Sequence, residues 1–141
     1  MTEKKKILFV CVGNTCRSPM AAAYCSFKYD GMTADSAGIS TCGSDMHENA
    51  KKALELFGID VSSLPCHVSK PVSTELIEIA DLVVCVDSAI SALLRCYYPL
   101  AKDRILHFAP AIPDPYGGTA EVYDACLALM AEQIDKIVSE L

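Results

Sequence analysis

Basic residues are scarce in this chain: 12 Lys and Arg stand against 18 Asp and Glu, giving a net charge of −6 at pH 7. With no Lys/Arg-rich face, nucleic acid and anionic membrane are excluded as general partners. Long apolar runs are missing as well, so no stretch is long enough to span a bilayer. The start, Lys4-Lys5-Lys6 followed by Ile7 to Val12, has the charge order of a signal peptide, but its apolar run is too short and ends in Gly13-Asn14. None of the eight cysteines forms a Cys-x-x-Cys pair, which argues against structural zinc and thioredoxin-like chemistry. Their irregular spacing also argues against a disulfide framework, so mostly free thiols in a reducing cytoplasm are expected. Repeats and low-complexity segments are absent, and 141 residues suit one domain over residues 1–141 with room for a real core.

What is present is concentrated near the start. Cys11-Val12-Gly13-Asn14-Thr15-Cys16-Arg17-Ser18 follows the apolar run Ile7-Leu8-Phe9-Val10 and precedes Pro19-Met20-Ala21, so it joins an expected buried strand to an expected helix. Where a chain turns from strand to helix, successive amides converge on one concavity and hold an anion. Gly13 and Asn14 tolerate the unusual backbone angles this needs, and Pro19 suits a first helical turn. The segment Val12 to Ser18 is therefore an expected phosphate cradle. A thiol at a helix start beside a guanidinium ionises more readily than a free one, so Cys11 is the expected nucleophile. Arg17 adds a planar fork that can grip two phosphoryl oxygens.

Apolar and polar patterning predicts strands near residues 6–12, 32–35, 82–86 and 104–107. Helices are expected near 19–29, 46–57, 73–79, 88–96 and 120–139. Such alternation implies an α/β fold with a parallel sheet covered on both faces. Ser44 and Asp45 before Met46, Gly58 after Phe57, and Ser88 before Ala89 are the expected helix caps. Ligands in such sheets bind beyond the carboxyl ends of the strands, where the Cys11 loop lies. A second loop, Pro113-Asp114-Pro115-Tyr116-Gly117-Gly118, is stiffened by its prolines and turned by its glycines. Asp114 could protonate a leaving group and then take a proton from attacking water, and Tyr116 could wall a substrate cleft.

Cys-x5-Arg-Ser near the N-terminus, Asp35-Ser36-Ala37-Gly38, Asp81-Leu82-Val83-Val84 and Asp114-Pro115-Tyr116-Gly117, in this order, resemble the low-molecular-weight protein tyrosine phosphatases over nearly the whole chain. The resemblance implies a flavodoxin-like three-layer α/β/α fold with a four-stranded parallel sheet and no metal or other cofactor. It implies phosphorylated proteins as substrates, with hydrolysis through a phosphocysteine on Cys11, Arg17 as phosphate clamp and Asp114 as general acid and then base. It also implies that Ser18 assists the thiolate as leaving group, that Ser36 and His67 orient Asn14, and that Cys16 forms a reversible disulfide protecting Cys11. Phosphotyrosine is the family's default substrate. Thr15, standing where tyrosine-directed members carry a branched aliphatic residue, resembles instead the protein arginine phosphatases of the same superfamily. The segment 41–49 lacks a cleft aromatic, and Gly117 replaces a second tyrosine; Asp87-Ser88, by contrast, resembles the tyrosine-directed pattern.

Each assignment has a plainer rival. Cys11 could be a small buried hydrophobe, Arg17 a surface charge and Asp114 a turn residue, but a cation at a helix start is unfavourable without an anion nearby. His47, His67 and His107 read as structural histidines, and Cys25, Cys42, Cys66, Cys85, Cys96 and Cys126 as packing or chance. Two other function classes compete. An arsenate reductase shares the loop, but needs further cysteines in a mobile segment, and Cys85 sits in a strand pattern. A phosphate-binding module without turnover would need neither a thiolate nor an acid.

Overall fold

The computed structural model describes residues 4–141. Strand β1 (Lys5–Cys11) is buried continuously from Ile7 to Cys11, the pattern of a strand covered on both faces. It lies inside a wholly parallel four-stranded sheet ordered β2, β1, β3, β4, formed with β2 (Met32–Gly38), β3 (Leu82–Cys85) and β4 (Ile105–His107). Parallel neighbours require crossovers, and these carry the helices α1 (Arg17–Lys28), α2 (Glu48–Leu56), α3 (Thr74–Ile79) and α4 (Ser88–Tyr97). Helix α5 (Ala120–Ser139) follows and packs with α1 and α2, while α3 and α4 pack on β1, β3 and β4. This is the expected flavodoxin-like three-layer arrangement. Strand order reverses between β1 and β3, and the Cys11 loop leaves β1 at that switch point.

Asp81 clamps the two central strands together. Its carboxylate accepts from the Lys6 amide at 2.8 Å while its own amide donates to the Lys6 carbonyl at 2.8 Å. The Asp81-Leu82-Val83-Val84 signature is thus a strand start tied at both polar groups of one residue. Among the described residues, no helix is long and apolar enough to cross a membrane.

Three local expectations are corrected. Strand β2 runs on to Gly38 rather than stopping at Asp35, because Ser36, Ala37 and Gly38 pair with Phe9, Val10 and Cys11; that pairing overrides their weak strand propensity. Helix α2 is capped by His47, whose Nδ1 accepts from the Asn49 amide at 3.1 Å, and not by Ser44 or Asp45. Helix α4 is capped by Asp87, which accepts from the Ile90 amide at 2.9 Å, and Ser88 becomes its first residue. Gly58 does terminate α2, at φ 93°, a conformation that costs glycine little.

Gly38 brings the sheet up against the loop that follows Cys11. A Cβ there would stand 2.6 Å from the Val12 carbonyl oxygen, 2.7 Å from Thr41 Cγ2 and 3.0 Å from Asn14 Cβ. Gly38→Ala is expected to cost about 1–3 kcal/mol of stability by overpacking against backbone. Its Tm should fall; an unchanged Tm would show that the loop yields.

Candidate active site

The loop closes on the Cys11 sulfur. Asn14 adopts φ 58°, the left-handed region that Asn tolerates better than most residues, and this turns its amide onto Cys11 Sγ at 3.2 Å. Ser18 Oγ lies 3.0 Å from the same sulfur and accepts from Asn14 Nδ2 at 2.7 Å. With that acceptance made, the Ser18 proton can turn to the sulfur, 3.0 Å away, or to the Ala37 carbonyl at 3.4 Å. Asn14 and Ser18 are both completely buried, so the arrangement is shielded from competing water.

Arg17 opens α1 and is only 6% exposed. A buried cation at the positive end of a helix dipole needs compensation. Its Nη1 donates to the Ile112 carbonyl at 2.9 Å, and its Nη2 lies 3.8 Å from Asp114 Oδ2. The Asp114 loop is thereby drawn over the catalytic loop from nearly a hundred residues away; within it, Asp114 Oδ1 accepts from the Tyr116 amide at 3.1 Å. Between the two loops lies a pocket of about 220 Å³ lined by residues 11–17, Asp114 and Tyr116. Thiol, guanidinium and carboxyl face one space, with Ser18 beneath it. Such a pocket can hold a tetrahedral anion and expose it to in-line attack.

Asn14 is held from outside by the segment after α2. His67 Nε2 lies 2.7 Å from the Asn14 carbonyl, which makes that nitrogen the donor, and the Lys70 amide donates to Asn14 Oδ1 at 3.0 Å. Ser36 does not take part: the Asn14 side chain bonds Ser18 and the Lys70 amide, and Ser36 is not among its partners. The expected Ser36–Asn14 contact is therefore corrected to a contact through Lys70. All eight cysteines are free. Cys16 is buried with its sulfur 3.5 Å from Tyr123 Oη, and burial raises its pKa. Among the described residues, no cluster of His, Cys, Asp and Glu could hold a metal ion.

A sequence profile described as "Low molecular weight phosphotyrosine protein phosphatase" matches residues 6–141. The chain belongs to this family. It is 35% identical to a low molecular weight protein-tyrosine-phosphatase of Acinetobacter johnsonii, over 85% of this chain and 86% of the relative. It is 36% identical to a protein-arginine-phosphatase of Geobacillus stearothermophilus, over 96% and 95%. The crystal structure of the low molecular weight protein tyrosine phosphatase from T. tengcongensis superposes with a TM-score of 0.90 at 32% identity, covering 98% of this chain and all of the other. As a member of the low-molecular-weight phosphatases, the chain is a cysteine-dependent hydrolase that works through a phosphocysteine.

One residue of this phosphatase site escaped the sequence. His47 donates its amide to the Thr15 carbonyl at 2.9 Å, stacks on Tyr123 with ring centroids 5.1 Å apart, and meets the Tyr116 ring edge-on at 6.0 Å. It thereby links the catalytic loop, the cleft wall and α5. A lone histidine before a helix carries only a capping signal; Tyr123 lies 76 positions further on, and no periodicity connects the two.

Proposed function

We propose that the protein hydrolyses phosphotyrosine in protein substrates. The observation that carries this reading is the convergence of Cys11, Arg17 and Asp114 on one pocket. Cys11 attacks phosphorus, Arg17 and the loop amides hold the equatorial oxygens, and the bond to the tyrosyl oxygen breaks as Asp114 gives that oxygen its proton. Asp114 then takes a proton from water as the water attacks the phosphocysteine; the sulfur leaves, with the Ser18 hydroxyl donating to it. The mouth supports an aryl ring: Tyr116 is 72% exposed and Val12 is half exposed beside it, an apolar rim suited to aromatic packing. Cys85 speaks against an arsenate relay, because it is buried in β3 and burial pushes its thiol up to about 12. The free thiols support a reducing, cytoplasmic setting.

A second reading rests on Thr15, which lines the pocket where its hydroxyl oxygen could accept from a guanidinium N–H of phosphoarginine. Matched phosphotyrosine and phosphoarginine peptides should decide between them. We expect phosphotyrosine to be preferred by wild type, with Thr15→Ile changing the ratio by less than about fivefold, since one hydrogen bond is worth ~1 kcal/mol. Preference for phosphoarginine that collapses in Thr15→Ile would replace the first reading by the second.

A further inference from the structure

Behind the catalytic loop lies a second cleft of about 520 Å³ between α1, β2 and the segment 64–70. Its volume falls in the range of small-molecule sites, roughly 300–1,000 Å³. Ala22 and Ala23 of α1, with Met46, Leu64 and Pro65, make its walls largely apolar. Two polar groups of the cleft have no part in the hydrolysis. Ser36 is 4% exposed and borders the cleft, yet among the described residues its hydroxyl has no partner; its amide bonds Asp35 Oδ1 at 2.8 Å. A hydroxyl that borders the cleft and takes no partner from the protein marks a place where a ligand can supply one. Cys66 is exposed on the opposite wall, whereas the other exposed thiols, Cys42 and Cys96, do not border the cleft.

The same wall supports the nucleophile. His67, the next residue, holds the Asn14 carbonyl at 2.7 Å, and Lys70 holds the Asn14 side chain at 3.0 Å. Asn14 in turn bonds Cys11 Sγ at 3.2 Å and Ser18 Oγ at 2.7 Å. We propose that Cys66 is a modification site, where a low-molecular-weight thiol, delivered as its disulfide, is attached and housed in this cleft, slowing catalysis through His67 and Asn14. The Cys66 thiolate attacks one sulfur of the disulfide R–S–S–R, giving Cys66–S–S–R and releasing R–S⁻, which takes up the proton that Cys66 gave to solvent. Cys66 is oxidised and the departing half of the disulfide is reduced. A thiol of the glutathione class suits the cleft because its amides and carboxylates can reach the Ser36 hydroxyl, while a bare sulfenic acid would use neither that group nor the volume.

The inference borrows from the phosphatase reading only its activity readout. The test treats the chain carrying Cys42→Ser and Cys96→Ser with oxidised glutathione, with inorganic phosphate in the catalytic pocket to shield Cys11. Peptide mapping should find one glutathione per chain, on Cys66. After phosphate is removed, kcat for p-nitrophenyl phosphate should be about tenfold lower or less, as displacements near 1 Å can cost ~10²-fold. Dithiothreitol should restore it, and adding Cys66→Ser should prevent both adduct and loss. Failure of Cys66 to take the adduct, full occupancy without loss of turnover, or a loss that persists in Cys66→Ser would each overturn the proposal. If the untreated protein did not turn over p-nitrophenyl phosphate, the phosphatase reading would fail, and the mapping would still decide the site.

Discussion

Cys11→Ser is expected to lower turnover of an aryl phosphate by at least ~10⁴-fold, the scale on which loss of a nucleophile is felt in covalent catalysis. The substitution is nearly isosteric, so the loop should survive it. Asn14 would still present its amide to the side chain, and Ser18 its hydroxyl. What disappears is a sulfur nucleophile that is also a good leaving group. A serine that did capture the phosphoryl group would release it far more slowly, because an alkoxide leaves less readily than a thiolate. Two measurements separate binding from chemistry: steady-state turnover of p-nitrophenyl phosphate, and titration with inorganic phosphate by calorimetry. Phosphate affinity should stay within a few-fold of wild type, and residual turnover within a hundredfold of wild type would sink Cys11 as nucleophile.

Arg17→Lys should cost about 10³-fold in kcat/KM, in the range seen when a transition-state guanidinium is lost. Lysine keeps the charge and loses the fork. A single ammonium cannot both donate to the Ile112 carbonyl at 2.9 Å and reach towards phosphate and Asp114, 3.8 Å from Nη2. Two deficits then compound: the equatorial oxygens lose a bidentate partner, and the Asp114 loop loses its anchor to α1. The buried carbonyl of Ile112 also risks losing its donor, a loss worth about 1–3 kcal/mol, so a modest fall in Tm should accompany the kinetic effect. A lysine variant within tenfold of wild type would show that the charge alone suffices and that the fork geometry carries little.

The edges of the site were less legible than its centre. Residues 11–18 are contiguous and fold around themselves, so local backbone chemistry was enough to read them as an anion cradle. His47 and Lys70 reach the loop through backbone amides, which carry no side-chain signature; the ring contacts of His47 are with residues far along the chain, and the Lys70 amide takes the place at Asn14 that was expected of Ser36. The α2 cap was misplaced for a related reason: the amide of His47 is committed to the Thr15 carbonyl, so His47 is fixed to the loop and the helix begins after it.

By itself the sequence determined the layered α/β architecture, because its apolar runs and helical periods alternate at lengths only a covered parallel sheet accommodates. It also determined the chemistry available, since the thiol and the guanidinium flank a glycine-containing strand-to-helix loop and the carboxyl sits in a proline- and glycine-rich one. Tertiary structure alone decided which groups share a space. The Arg17–Asp114 approach, the stacking of His47 on Tyr123, and the hold of residues 67–70 on Asn14 join segments that are neighbours only once the sheet order β2, β1, β3, β4 has formed. Such contacts are set by long-range packing, and no local pattern in the chain records them.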